Sequence, residues 1–475
     1  MPVTHDSDVP QEPAATGITP LDEHRERNAD EAAVREIVGQ IQQTGVEFVY
    51  YQTVSLTGRV LGKVVPARHL HRNLERGVNM HRTAVADLQV TREGALLGGG
   101  TQAPEFTALP DLDTFAVLPW DRTVARFFCQ VYEPEHLPEV GGRHLAHDAR
   151  GNLKRVHAAF TERTGLHLRT GCEPEMSWLG EGLKVRVRPG SSPSYHADCL
   201  ELMRPIYQRV IRYAQQLGFD MVEGDYEDPG QLELNWNFDH ADRTADRLVT
   251  YRQICRQVAR ELGVTASFMP KPFTGMMGNG CHHNFSVWRG EENVLADPAV
   301  RELHLTETGR HVLGGVLAHA AGSMALMGPT VNSYKRYWDV GQFAPAQINW
   351  GMDNKTCTVR LSANGRLECK LPDASVNPYL SHAALIAAIQ DGLDNGIDPG
   401  EPHSGDSTDA SVSKFGPLPL TLGDALNAFA ADEVVRSSMP EEMAELYLAL
   451  KHDEWARFCG AVTDWERDMY TEALP

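Results

Sequence analysis

The sequence predicts an α+β protein of two domains, on three observations. Its 475 residues exceed what one hydrophobic core usually serves. Short strand-like runs dominate to about residue 132, and beyond it strands alternate with long helical patterns. A hydrophobic fraction of 42% supplies a large interior and excludes wholesale disorder.

Residues 1–28 are polar, with scattered Pro and Ala, and are expected to form a disordered tail. The first domain is expected over 29–138. The spacing of Val34, Ile37, Val38 and Ile41 predicts a helix, and Glu47 to Val65 alternates as strands around Gly58 and Gly62. Further strands are expected near Leu109 and Val117, closing at Phe127 to Tyr132. The second domain is expected over 139–475. Asp148 to Thr164 opens it as a helix, and Tyr207–Gln216 and Arg247–Leu262 are amphipathic. The Ala- and Gly-rich run Val312–Met327 and the apolar run Pro378–Asn395 predict one buried helix each, and Thr421–Tyr470 two or three more.

Lysine plus arginine number 44 against 64 aspartates and glutamates, a formal charge of −20. A surface this acidic repels phosphate backbones, which argues against a nucleic-acid partner. No apolar run approaches the ~18 residues of a membrane span, and Met1 to Pro20 lack the apolar stretch of a secretory signal. Eight cysteines without C-x-x-C pairing suit reduced thiols, so the expected location is the cytoplasm.

Four segments place polar residues at every second position. Glu173 and Glu175 share one strand face. So do Gln231, Glu233, Asn235 and Asn237, then His282, Asn284 and Ser286, then Glu368 and Lys370. Each alone reads first as a strand with a solvated face. Together, with Trp178, Trp236 and Trp288 in or just beyond three of them, they describe a sheet packed on one side and lined with carboxylates on the other. Such a face needs cations to offset its repulsion, and oxygen ligands with one imidazole suit Mg²⁺ or Mn²⁺ better than zinc. No Walker or Rossmann glycine pattern is present.

The order Glu173-Pro174-Glu175, Gly230-Gln231-Leu232-Glu233, Met269-Pro270-Lys271-Pro272, Gly278-Asn279-Gly280-Cys281-His282, Asn332-Ser333-Tyr334-Lys335-Arg336, Ala344-Pro345, Asp353-Asn354-Lys355 and Asn377-Pro378 resembles the type I glutamine synthetase family. The resemblance spans roughly residues 45 to 470. It implies a small β-grasp-like domain and a large catalytic domain with a curved antiparallel sheet and flanking helices. It also implies a homo-oligomeric double ring (a dodecamer) with sites between subunits. ATP would phosphorylate the γ-carboxylate of glutamate, and an amine would displace the phosphate. Two or three metal ions per site, Mg²⁺ or Mn²⁺, are implied. Glu175, Glu227 and Glu233 match the ligands of one metal, and Glu173, His282 and Glu368 those of the second. At the first metal Tyr226 can take the register of Glu227, and the carboxylate is the chemically competent choice. Arg336 matches the grip on the substrate carboxylate, with Gly278 and Lys370 in the same pocket. Arg360 and Lys355 match catalytic positions at the phosphates, and Ser286 and Asn284 positions near the nucleotide.

Two departures bear on the amine. The Asp-Gly-Ser-Ser motif of ammonium-using members is absent from residues 86–100, and the flap glutamate before Ala344-Pro345 is replaced by Phe343. Ammonium is a cation that carboxylates attract and deprotonate, whereas Phe343 offers an apolar wall. The wording Gly278-Asn279-Gly280-Cys281-His282 with Ser286-Val287-Trp288 is similar to that of γ-glutamylmethylamide synthetases, and the chain is expected to join a glutamate-like acid to an organic amine. The alternatives are an ammonium-using glutamine synthetase and a catalytically silent relative, since Lys355, Lys370, Asn284 and Met277 depart from the family residues.

Overall fold

The computed structural model describes residues 17–185, 191–338, 344–345, 347–407 and 413–473. The first sheet contains β1 (Phe48–Val54), β2 (Val60–Pro66), β3 (Val78–His81), β4 (Glu105–Pro110), β5 (Ala116–Val117) and β6 (Val124–Tyr132). Its order is β2-β1-β6-β4-β3, with β5 on β6. The β1–β6 pair is parallel and the other pairs antiparallel. β6 lies between β1 and β4, which is why nearly all of Val-Ala-Arg-Phe-Phe-Cys-Gln-Val-Tyr is buried and the alternation of an exposed strand is lost.

Helices α1 (Pro20–Asn28), α2 (Glu31–Thr44) and α3 (Leu70–Arg76) accompany this sheet. Helix α1 corrects the expected tail, of which residues 1–16 lie outside the described residues. Thr19 and Asp22 form a capping box and Pro20 stands at the first turn. His24 and Asn28 are buried, bonding the Tyr132 hydroxyl and the carbonyls of Pro110 and Leu74. Only three apolar side chains enter that local cluster, Leu21, Leu109 and Tyr132, so hydrophobic patterning alone does not reveal the helix.

The second sheet holds β7 (His167–Leu179), β8 (Met221–Tyr226), β9 (Gln231–Trp236), β10 (Asp239–His240), β11 (Thr265–Ser267), β12 (Cys281–Arg289), β13 (Glu292–Asn293), β14 (Trp350–Met352), β15 (Val359–Ala363) and β16 (Arg366–Cys369). Its order is β14-β15-β16-β12-β7-β9-β8, antiparallel throughout except β14–β15. One face packs on helices and the other carries the polar residues.

The packing helices are α4 (Ala149–Thr164), α5 (Ala197–Leu202), α6 (Arg204–Gln216), α7 (Ala241–Leu262), α8 (Glu307–Ala318), α9 (Ala320–Met327) and α10 (Pro378–Asn395). The run expected as one helix over 312–327 is two, broken at His319. The His319 imidazole lies 2.9 Å from both Asp391 Oδ2 and Asp432 Oδ2. Helices α8 and α10 cross closely: a Cβ on Gly315 would stand 2.1 Å from the Ala388 carbonyl oxygen. The tail holds four helices rather than two or three: α11 (Leu422–Ala431), α12 (Glu433–Arg436), α13 (Glu441–Cys459) and α14 (Asp464–Tyr470). The extra break follows from Asp432, whose extended backbone ends α11 while its carboxylate caps α12. No cysteine is paired, and Cys281, Cys357 and Cys369 point into the core as period 2 predicts.

Candidate active site

Strand register alone assembles an acidic belt. Asp225 of β8 pairs with Glu233 of β9, and Glu233 with Glu175 of β7. Two residues along β7, Glu173 pairs with His282 of β12. Asn284 of β12 pairs with Glu368 of β16, and Glu368 with Arg360 of β15. Because side chains alternate across each strand, all these groups emerge on the side opposite Trp178 and Trp236.

The belt contains two triads whose ligand atoms lie within 4.8 Å of one another, Glu175–Glu227–Glu233 and Glu173–His282–Glu368. His282 links them: its Nδ1 is 3.4 Å from Glu173 and from Glu368, and its Nε2 is 3.9 Å from Glu175. Glu227, which the register of the resemblance leaves open against Tyr226, is the residue whose carboxylate joins the triad. Tyr226 is buried, its hydroxyl accepting the Gly230 amide at 2.8 Å.

The electrostatics explain what such a site requires. Burial, then the Glu175 charge, pushes the Glu227 carboxyl above its usual range, and burial, Glu173 and Glu227 do the same to Glu233. Burial, aided by Lys370, lowers His282 to about 3, so the imidazole is neutral and keeps a free lone pair. Glu368 Oε1 is buried without a hydrogen-bond partner, while its other oxygen accepts from Arg360 Nε. Carboxylates that repel one another, a neutral imidazole and an orphaned oxygen fit hard divalent cations. The residues that would hold them are the six of the two triads.

Outer contacts orient these ligands. The Gly280 amide donates to Glu175 at 2.6 Å, Asn235 to Glu233 at 2.7 Å, and Asn284 to Glu173 at 2.7 Å. Asn284, expected near a nucleotide, thus spends its amide on Glu173. Gln231, absent from the expected site residues, donates to the Gly278 carbonyl at 2.9 Å and to Asn279 Oδ1 at 2.8 Å. Its signal was there, since it shares the period-2 face with Glu233. Tyr195 was not legible: it holds a left-handed φ of 63° and faces Asp225, Glu227 and Glu233.

Basic groups flank the belt. Arg336 is buried, and its Nη1 has no hydrogen-bond partner. A Cβ on Gly278 would come within 2.6 Å of Arg336 Cγ and 2.8 Å of the Pro270 carbonyl, so only glycine lets this loop close over the arginine. Lys370 is buried 3.7 Å from Glu368, and Arg360 Nη1 donates to Asp353 at 3.2 Å. Lys355 is exposed in the turn before β15, its charge acting on Asp225 and Glu227. Ser286 lies further along β12, where its hydroxyl accepts from Trp288 Nε1 at 2.8 Å. Phe343 lies outside the described residues.

Residues 146–470 match the glutamine synthetase catalytic domain. The chain belongs to the glutamine synthetase family. It is 35% identical to a glutamine synthetase of Rhizobium leguminosarum over 81% of this chain and 91% of that protein. It is 34% identical to a glutamate–methylamine ligase of Methyloversatilis universalis over 91% of this chain and 98% of that one. A GmaS–ADP complex superimposes with a TM-score of 0.80 at 32% identity, covering 91% of this chain and 98% of that chain. GmaS without ligand gives 0.81. This family member is a carbon–nitrogen ligase with the fold of its relatives, and enzymes of the family act on small molecules with ATP and divalent metal ions. Among the described residues no helix is long and apolar enough to cross a membrane.

Proposed function

We propose that the chain joins the γ-carboxylate of glutamate, or a close analogue, to an organic amine at the cost of ATP. The observation that carries this reading is the pair of triads on one sheet face beside a buried Arg336 whose Nη1 has no hydrogen-bond partner. Divalent cations, Mg²⁺ or Mn²⁺, held by the six triad residues would neutralise charge on the transferring phosphoryl group. The chain's own groups do the rest. Arg336, with its guanidinium fork, grips the acid's carboxylate beside Gly278 and Lys370. Arg360 and Lys355 face the phosphates at the β15 end, and Ser286 lies toward the nucleotide. The γ-carboxylate oxygen attacks the terminal phosphorus of ATP, ADP leaves, and the amine nitrogen then displaces phosphate from the acyl phosphate, losing a proton.

The preference for an organic amine rests on the missing Asp-Gly-Ser-Ser acid and on Phe343 in place of a flap glutamate. The relative acting on methylamine supports it, while the relatives named glutamine synthetase favour ammonium as a second reading. We further propose a homo-oligomeric double ring in the cytoplasm, the latter supported by eight unpaired thiols. The test is phosphate release from MgATP and L-glutamate with ammonium, methylamine, ethanolamine or a polyamine, with the amide identified by mass spectrometry. Release with an alkylamine well above that with ammonium is the expected result. A strong preference for ammonium establishes the second reading, and no release with any amine refutes both.

A further inference from the structure

A cleft of opposite character lies away from the acidic belt, at the seam between the domains. The β1–β2 hairpin contributes Tyr50 and Arg59, the segment after β5 contributes Trp120, and α7 contributes Arg256 and Arg260, around a volume of about 620 Å³. No acidic residue lines it. Arg256 and Arg260 stand one turn apart on the same face of α7. In a chain with 44 basic and 64 acidic residues, three guanidiniums without a carboxylate among them are not accounted for by a shortage of partners.

None of the three is neutralised among the described residues. Neither the Arg59 nor the Arg256 side chain has a hydrogen bond or ion pair. Arg260 donates to Gln257 Oε1 at 2.6 Å, and Arg256 lies 5.2 Å over the Phe268 ring. Burial first, and then the neighbouring Arg59 charge, hold Arg256 below its ordinary value.

We propose that this cleft binds a small multivalent anion, offering phosphate or carboxylate oxygens, that bridges Arg59 of the first domain to Arg256 and Arg260 of α7. Guanidinium forks match such oxygens bidentately. Trp120 and Tyr50 supply apolar surface for the organic part of the ligand. The cleft holds no nucleophile or acid, so the anion is an effector and not a reactant. A route to the catalytic belt exists: one turn before Arg256, Arg252 Nη2 donates to the Ala374 carbonyl at 2.8 Å. The Ala374 amide donates to the Asn279 carbonyl at 3.1 Å. Asn279 in turn accepts from Gln231, which neighbours Glu175.

The experiment is isothermal titration of the full chain in metal-free buffer with pyrophosphate, citrate and a nucleoside monophosphate as separate probes. Saturable binding of at least one probe is expected, weakening with salt. Its Kd should rise about tenfold or more in Arg59→Ala and in Arg256→Gln and stay unchanged in Glu175→Gln. The probe that binds decides between phosphate and carboxylate chemistry. Circular dichroism and light scattering on each variant confirm that fold and oligomeric mass are retained. The proposal is overturned by no saturable binding with any probe, by equal binding in the arginine variants, or by loss of binding in Glu175→Gln, which would place the anion in the acidic belt. A changed oligomeric mass in Arg256→Gln would overturn it too, by making the cleft a subunit contact.

Discussion

At the scale of single residues, the acidic belt works through side chains that touch its carboxylates without being ligands themselves. Asn284 donates to Glu173, so Asn284→Ala should weaken Mn²⁺ binding by roughly 10–100-fold while leaving the melting temperature nearly unchanged. Calorimetric titration with Mn²⁺ checks this, and unaltered affinity would show that the contact is incidental. Gly278 is constrained by a backbone oxygen and by the Arg336 stem. Gly278→Ala must therefore displace the arginine by a sizeable fraction of an ångström. A shift of about 1 Å near reacting groups costs on the order of 100-fold in rate. The expected signature is a raised KM for the acid with little change in the KM for ATP. Gln231 and Asn235 were visible as polar positions in an alternating strand, but their partners were not. A partner's identity depends on register, which a single strand does not contain.

At the scale of elements, the break between α8 and α9 gives the clearest pH dependence. His319 sits between Asp391 and Asp432, and the hydrogen bonds its ring N–H groups donate to both carboxylates raise it above its ordinary 6.5 despite burial. The native state therefore holds this proton more tightly than the unfolded chain. The stability it contributes is complete below about pH 6.5 and is lost as the pH rises through the raised value. Hydrogen bonds to a charged group are worth about 1.5–3 kcal/mol, so urea unfolding should show a loss of up to that order as the pH rises above about 6.5. In His319→Gln that step should be absent, and a persisting step would assign it elsewhere. The helix over 378–395 was legible because it carries Asn377 as N-cap, Pro378 at its first turn and Gly396 at its end. The run 312–327 was not, because its apolar pattern continues through His319, whose partners Asp391 and Asp432 are distant in the chain.

At the scale of the whole molecule, the elements around the two sheets are joined by charge as well as by apolar packing. Arg150 is buried and bonds Asp111 after β4 at 3.0 Å and Asp246 of α7 at 2.8 Å. The neighbouring Arg150 and Lys154 overcome burial to hold Asp111 well below the usual carboxylate range. Arg150→Met would leave two partly buried carboxylates facing one another. Removing one partner of a buried pair costs about 3–5 kcal/mol, which should appear as a lower urea midpoint. A loss below about 1 kcal/mol would mean that water compensates the pair and that the seam is held by its apolar contacts.

The sequence by itself determined the α+β organisation, most helices and the face of each strand, because periodicity and capping are local properties written in consecutive residues. It also determined which carboxylates and which histidine share a face, through the two-residue alternation of Glu173 with Glu175 and of His282 with Asn284. Tertiary structure decided that Glu227 rather than Tyr226 enters the belt, that Asn284 serves Glu173, and that residues 20–28 form a helix. It also decided that Arg59, Arg256 and Arg260 meet across a seam. The reason is the same in each case. These outcomes depend on cross-strand register and on contacts between segments distant in the chain, and neither leaves a periodic trace in the residues themselves.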